Sequence, residues 1–261
     1  MIKLCANLSM LFNEHSFLER FKASADAGFR GVEYLSPYEF DKAILAEQLK
    51  ENNLTQVLFN LPAGDWNAGE RGIAIFPDRI SEFKEGVDQA IEYAKALDCK
   101  QINVLAGIIP ADIESDLLAR TFLDNIQFAA VKLEQEGIRL LIEPINTFDI
   151  PNFYIKNSAQ VLNIIEQSNC QNIYLQYDIY HMQRMEGELS GTILKYLPHI
   201  AHLQLADNPG RNEPGTGEIN YPYLLNLIEK IDYQGWIGCE YKPLNTTEQG
   251  LTWATDYFTK D

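Results

Sequence analysis

Histidine and cysteine are scarce in this 261-residue chain, with four of each. Basic residues are outnumbered, 21 lysines and arginines against 37 aspartates and glutamates, for a formal net charge of −16 at pH 7. That charge argues against a nucleic-acid or anionic-membrane partner, because binding to phosphate is built on local lysine and arginine. It leaves room for a small anionic substrate, since two or three basic side chains at one point override the global field. The cysteines (Cys5, Cys99, Cys170 and Cys239) are scattered, with no C-x-x-C pair and no close framework. Buried free thiols in a reducing cytoplasm are the expectation, rather than a zinc knuckle or a disulfide scaffold. No stretch reaches the ~20 apolar residues needed to span a bilayer. The opening MIKLCANLSM has no basic region followed by an apolar one, so a secretory leader is not expected. A monomer and a small homo-oligomer are both compatible with these properties.

What is present is a regular alternation. Short apolar, β-branched runs recur with amphipathic, helix-forming stretches between them: KLCAN, GVEYL, TQVLFN, QINVLAG, IRLLIE, NIYLQYD, HIAHLQLAD and WIGCEY. Helices are expected over FLERFKASADAG, then about 41–52, 79–97, 115–137, 158–167, 189–197 and 221–231, with a closing helix near 247–258. Near-continuous apolar strands separated by helices mark a parallel sheet covered on both faces. Eight such units in 261 residues fit one (β/α)8 TIM barrel domain spanning 1–261. A doubly wound open sheet would show a glycine-rich phosphate turn after its first strand. The first loop here, NLSMLFNEHS, has no glycine.

In a barrel of this kind, reactive groups sit at the C-terminal ends of the strands. Asn7, Glu33, Asn60, Glu143, Asp178, Gln204 and Glu240 all fall there. A carboxylate that closes an apolar strand is costly to bury without a partner. Glu143, Asp178, Gln204 and Glu240 together form an oxygen-only donor set of the type a hard divalent cation takes, Mg²⁺ or Mn²⁺ before zinc. The competing reading is a polar network at the barrel mouth, its carboxylates paired with lysine or arginine. Residues alone divide these two evenly. Glu143 and Glu240 on either side of a bound carbonyl compound can also take a proton from one carbon and return it to its neighbour, with no organic cofactor.

Other groups near this end carry weaker signals. His181, in DIYHMQR at the exit of strand six, is read either as a contact to a substrate oxygen or as a support for Asp178. His202 shares the inner face with Gln204 and reads as a packed, hydrogen-bonded histidine. Among the basic groups, Arg71 (beside Glu70), Arg211 and Lys242 are candidates for substrate binding. One of Arg71 and Arg211 is expected to clamp a substrate carboxylate, against a surface ion pair of Arg211 with Glu213. The long loop LPAGDWNAGERGIAIFPD reads as a lid with glycine hinges or as a packed Ω-loop.

Several stretches carry a family resemblance: CANLSMLF from Cys5, GFRGVEY from Gly28, LPAGDWNAGERGIA from Leu61, IEPINTFDIPNFY from Ile142, QYDIYHMQRMEGEL from Gln176, HLQLADNPGRNEPGTGEINY from His202 and GWIGCEYKP from Gly235. Running nearly end to end, they make the chain resemble the hydroxypyruvate isomerase family of the xylose isomerase-like barrels. The resemblance implies acid–base catalysis by Glu143 and Glu240 and a divalent cation among Glu143, Asp178, Gln204 and Glu240. It also implies interconversion of hydroxypyruvate with 2-hydroxy-3-oxopropanoate. Sugar isomerases and epimerases of the superfamily often carry histidine where Gln204 stands, which implies weaker metal affinity here. A sister group, the 2-oxo-tetronate isomerases, acts on four-carbon acids and is the alternative. A sugar epimerase, a metal-dependent hydrolase or nuclease, and a catalytically silent scaffold are more distant readings.

Overall fold

The computed structural model describes residues 2–258. Eight parallel strands form a closed barrel in sequence order: β1 (Lys3–Asn7), β2 (Gly31–Glu33), β3 (Thr55–Asn60), β4 (Gln101–Val104), β5 (Arg139–Ile142), β6 (Ile173–Asp178), β7 (Ile200–Leu205) and β8 (Trp236–Cys239), with β8 paired back onto β1. Around it run α1 (Glu19–Asp26), α2 (Lys42–Glu51), α3 (Ile80–Leu97), α4 (Ser115–Gln135), α5 (Ser158–Ser168), α6 (Ile179–Met185), α7 (Leu189–Tyr196) and α8 (Tyr221–Lys230). The open-sheet alternative is excluded by the β1–β8 ladder.

Local chemistry sets the helix starts. Asp41 accepts from the Ala43 amide, Asn157 from Gln160 and Asn220 from Tyr223, each capping donors that the helix cannot satisfy itself. The strands bury nearly every residue; β7 is buried along its whole length. The main core fills the layer between strands and helices, where α3 and α4 contribute Phe83, Val87, Phe122, Ile126 and Leu133.

Two expectations need correction. The segment expected as a closing helix over 247–258 forms only a 3-10 turn at Gln249–Ala254. Thr247 is held elsewhere: its amide and hydroxyl both donate to Glu14, and its Oγ1 accepts from the Phe12 amide at 2.7 Å. Gly250 lies against the Glu213 carboxylate. Tied to the first loop at its start, and with Gly250 weakening an α-helical run, the segment settles into the shorter 3-10 form. The second correction is α6, a stretch expected as loop. It begins directly at the end of β6 because Asp178 caps it, accepting from the Tyr180 amide at 2.8 Å and the His181 amide at 3.5 Å.

Inside the barrel the upper layers are polar rather than aliphatic. Glu33 spans the interior to reach His202, Oε2 to Nε2 at 2.6 Å, and accepts from Asn7 and Gln204 on its other oxygen. This is the packed, hydrogen-bonded role expected for His202. Burial works against a charged Glu33, but His202, Gln204 and Asn7 outweigh it and hold its pKa below the usual carboxylate value. The crossing needs Gly238 on β8: a Cβ there would stand 2.3 Å from Glu33 Oε1.

Candidate active site

The strand ends deliver four predicted groups to one place. Glu143 follows β5, Asp178 closes β6, Gln204 is the penultimate residue of β7 and Glu240 follows β8. Strand register aligns them, with Asp178 beside Gln204 and Gln204 beside Gly238. Above them opens a cavity of about 500 Å³ lined by Glu143, His181, Arg211, Glu240, Arg71 and Lys242, among others. Asp178 and Gln204 lie beneath its floor, fully buried.

Glu143 and Asp178 each have one oxygen held and one left open, whereas both oxygens of Glu240 are engaged. Asn103 Nδ2 donates to Glu143 Oε2 at 3.3 Å and to Asn60 Oδ1 at 3.0 Å, so a buried amide relay fixes the Glu143 carboxyl. Among the described residues, Glu143 Oε1 has no hydrogen-bond partner, nor has Asp178 Oδ2. Glu240 Oε2 accepts from Asn7 at 2.9 Å and from Gln204 at 2.5 Å, while its Oε1 takes the Arg211 guanidinium at 2.7 Å.

Crowding three carboxyls into a dry mouth makes ionisation expensive. Burial, then the charges of Glu240 and Asp178, raise the Glu143 pKa well above its ordinary value. Burial pushes Asp178 up to about 6, against the opposing pull of Arg211. Glu240 rises to about 8, again through burial first, with Arg211 holding it down and Asp178 and Glu33 pushing it up. Burial, reinforced by Arg211 and Arg184, drives the His181 pKa well below its ordinary value, so its ring is neutral across the working range.

The donor set fits a hard divalent cation. Two unpartnered buried carboxylate oxygens and three mutually repelling carboxyls are what such an ion would relieve. Gln204 fits less directly: its Oε1 accepts from Gln176 at 2.6 Å, and its NH₂ faces Glu33 and Glu240. To offer an oxygen ligand, its amide must turn over.

Not every expected residue faces the cavity. Glu70 does not line it: its carboxylate is bound to Arg79 and to the Asp65 amide, bracing the loop from within. Arg71 does line it, with its guanidinium stacked 3.8 Å from the Trp66 ring centroid. Arg211 makes no pair with Glu213, whose Oε2 instead accepts from the Leu244 amide at 3.0 Å. Its position comes from Asp207, which accepts four backbone amides (Asn208, Gly215, Gly217 and Ile219) and so ties the whole loop after β7 into a hub.

Sequence reasoning missed the group formed by Asn146, Asp149, Tyr180 and Arg184. Arg184 donates to Asp149 at 2.8 Å and to the Tyr180 hydroxyl at 2.6 Å, and Asp149, Tyr180 and Arg184 all line the cavity. The signal was the i, i+4 spacing of Tyr180 and Arg184, invisible while that stretch was read as loop.

Comparison with known proteins agrees with this geometry. Residues 21–257 match the family model of the xylose isomerase-like TIM barrel. The hydroxypyruvate isomerase of Escherichia coli K12 is 54% identical over 257 residues, 98% of this chain and 100% of that protein. A 2-oxo-tetronate isomerase of Pectobacterium atrosepticum is 44% identical over 260 residues, covering 100% of this chain and 99% of the relative. A crystal structure described as AP endonuclease, family 2, from Brucella melitensis superposes with a TM-score of 0.97 at 45% identity, covering 99% of this chain and 100% of the other. The chain belongs to the xylose isomerase-like TIM barrel family.

Proposed function

We propose that this protein is an isomerase that interconverts hydroxypyruvate and 2-hydroxy-3-oxopropanoate. The observation that carries the reading is the pair Glu143 and Glu240. Both are buried at one mouth, each is fixed through one oxygen by buried amides, and a cavity opens over both. Relatives named for this activity and for its four-carbon counterpart, each matched almost end to end, support it.

The chemistry needed is a proton moved between adjacent carbons. One carboxylate breaks a C3–H bond of hydroxypyruvate, and the electron pair passes into an enediolate across C2 and C3. The other carboxyl delivers a proton to C2, and the hydroxyl proton passes from O3 to O2, leaving an aldehyde at C3 and a hydroxyl at C2. No electrons leave the molecule. Proton transfer by a positioned group is worth about 10²–10⁴-fold. Glu143, Asp178 and Glu240, with Gln204 once its amide turns over, would hold Mg²⁺ or Mn²⁺, which would stabilise negative charge on the enediolate.

The same mouth suits an acid. Arg71, Arg184, Arg211 and Lys242 line it within a chain of net charge −16, so cationic groups are concentrated where an anion must bind. His181, neutral and aimed at the gap between Glu143 and Asp178, contacts a substrate oxygen. The four-carbon 2-oxo-tetronates are the second reading, supported by relatives of that name matched almost end to end.

The deciding experiment incubates the enzyme in deuterated water with hydroxypyruvate, 2-oxo-tetronates and several aldoses, with Mg²⁺ or Mn²⁺ and with chelator. Proton NMR is expected to report deuterium entering next to the carbonyl of hydroxypyruvate and a new aldehyde signal. Turnover of a neutral pentose or hexose, with both acids untouched, would refute the substrate assignment.

A further inference from the structure

Asn146 lies three residues beyond Glu143, in the loop after β5, and is fully buried. Its Oδ1 accepts two backbone amides, from Phe148 at 3.1 Å and Asp149 at 2.8 Å. Those two donors decide which way the amide faces, because the reverse orientation would set an NH₂ against two N–H groups. Nδ2 must therefore point the other way, where it meets His181 Nδ1 at 2.6 Å and Asp149 Oδ2 at 3.1 Å. The Asn146 backbone amide also lies 3.5 Å from the same ring nitrogen. A ring nitrogen facing only N–H donors has to be the acceptor. The proton of the neutral ring is then on Nε2.

Nε2 stands 3.7 Å from Glu143 Oε1 and 3.6 Å from Asp178 Oδ2. These are the same two carboxylate oxygens that have no hydrogen-bond partner. Both separations are too long for a hydrogen bond. The N–H therefore points into the space between the two carboxyls without being consumed by either. Glu143, Asp178 and His181 also present ligand atoms close enough together to hold a metal ion. Ligation by His181 would need a lone pair on Nε2, which the turn at Asn146 denies it.

We infer that Asn146 is a positioning residue that locks His181 as an Nε2–H donor, assigning it to a substrate oxygen and keeping it out of the coordination sphere of any bound cation. The inference rests on the reading of His181 as a substrate contact. It adds the residue that fixes His181 in that role and divides the mouth into an all-oxygen cation set and a separate hydrogen-bond donor.

The tautomer can be read without any turnover. In enzyme labelled with ¹⁵N-histidine, long-range proton–nitrogen correlation spectra distinguish protonated from unprotonated ring nitrogens, and a His181→Gln variant identifies the His181 signals. The wild-type enzyme is expected to show His181 protonated on Nε2 and bare on Nδ1. A proton on Nδ1 in the wild type would overturn the inference whether or not any variant folds. In Asn146→Asp at pH 8 a carboxylate replaces the amide donor, and the tautomer is expected to reverse; an unchanged spectrum in that folded variant would equally overturn it.

Pulsed electron paramagnetic resonance of added Mn²⁺ gives a second readout. No directly bound imidazole nitrogen is expected in the wild type, and detecting one there would sink the assignment. Kinetically, Asn146→Asp is expected to lose tenfold or more in kcat with less than a threefold change in KM. A reversed tautomer with kcat unchanged would leave the lock standing and remove the substrate contact by His181, so the two failures are distinguishable.

Discussion

Arg211 reaches Glu240 across the barrel mouth, Nη2 to Oε1 at 2.7 Å, from a backbone held in the left-handed region at φ 54°. The same nitrogen lies 3.8 Å from Asp178 Oδ2, and the guanidinium sits 5.2 Å from the Tyr180 ring centroid. Arg211 is thus the cation that partly offsets the acidic floor. Its Nε has no hydrogen-bond partner although it is buried. The guanidinium itself lines the cavity, placed to meet a substrate carboxylate.

Removing Arg211 should therefore weaken the hold on the substrate acid. Arg211→Ala is expected to cost about 2–5 kcal/mol in transition-state binding of the acid, roughly thirtyfold or more in kcat/KM. Arg211→Lys should recover part of this, because an ammonium supplies charge without the planar fork. Steady-state kinetics on hydroxypyruvate would check it. Equal losses for Ala and Lys would show that geometry, not charge, carries the contact.

Glu143→Gln and Glu240→Gln should each lower kcat by at least ~10²–10⁴-fold. Neither should unfold the protein. Glu143→Gln removes a carboxyl whose ionisation is penalised by burial and by like charges, so its thermal stability in chelator should hold or rise, whereas Glu240→Gln also gives up the Arg211 pair and should melt lower. Loss of only a few-fold activity in both variants would rule out the two-carboxylate proton transfer.

The barrel and its acidic floor were legible because a strand pattern fixes direction. A polar residue closing an apolar run has to emerge at the strand's C-terminal end, and Glu143, Asp178, Gln204 and Glu240 all do. Loops carry no such period. Glu70 was read beside Arg71 as a substrate group, but Arg79, nine residues on, draws its carboxylate away. The pairing of Glu33 with His202 joins residues 169 positions apart, a convergence that follows only from closing the barrel. Asn146 carries no signal of its own in the sequence, because its meaning depends on which backbone amides the turn presents to it.

Chelator should reveal a stability that falls as pH rises. Burial in the folded state raises Asp178 to about 6 and Glu240 to about 8, above their unfolded values of about 3.9 and 4.3. A carboxyl with a raised folded pKa favours folding fully below its unfolded value and loses that contribution as pH climbs through the folded one. The window therefore runs from about pH 4 to about pH 8. The accumulated loss should be a few kcal/mol, or on the order of 5–10 °C in Tm for a domain of this size. Calorimetry in EDTA at pH 6 and pH 8 would measure it. Mn²⁺ or Mg²⁺ should raise Tm more at pH 8 than at pH 6, because cation binding needs the charged carboxyls. A metal effect that shrinks with rising pH would contradict a cation bound by these groups.

The loop over 61–77 is built as a packed support with a small exposed tip, and two of its glycines separate those parts. Ile73, Ala74 and Ile75 are buried, and the Ile75 amide donates to Ala106 O at 3.1 Å. Gly72 has φ +105°, its amide donates to Ala63 O at 2.9 Å, and a Cβ there would stand 2.1 Å from Leu105 O. Gly69, at the tip, has φ +96° and open space around it. Gly69→Ala should cost only the conformational penalty, about 1–2 kcal/mol. Gly72→Ala adds a backbone collision that no side-chain movement relieves, and the total should exceed ~3 kcal/mol. The two variants differ also in function. Gly72→Ala displaces Arg71, which lines the cavity and is stacked on Trp66, so KM for the acid should rise with it. Gly69→Ala should leave KM within about twofold, since a Cβ at that point meets nothing. Denaturant unfolding and initial-rate kinetics on both variants would test the division. Equal destabilisation by the two substitutions would mean that the base of the loop yields as readily as its tip, and the loop would then be a lid.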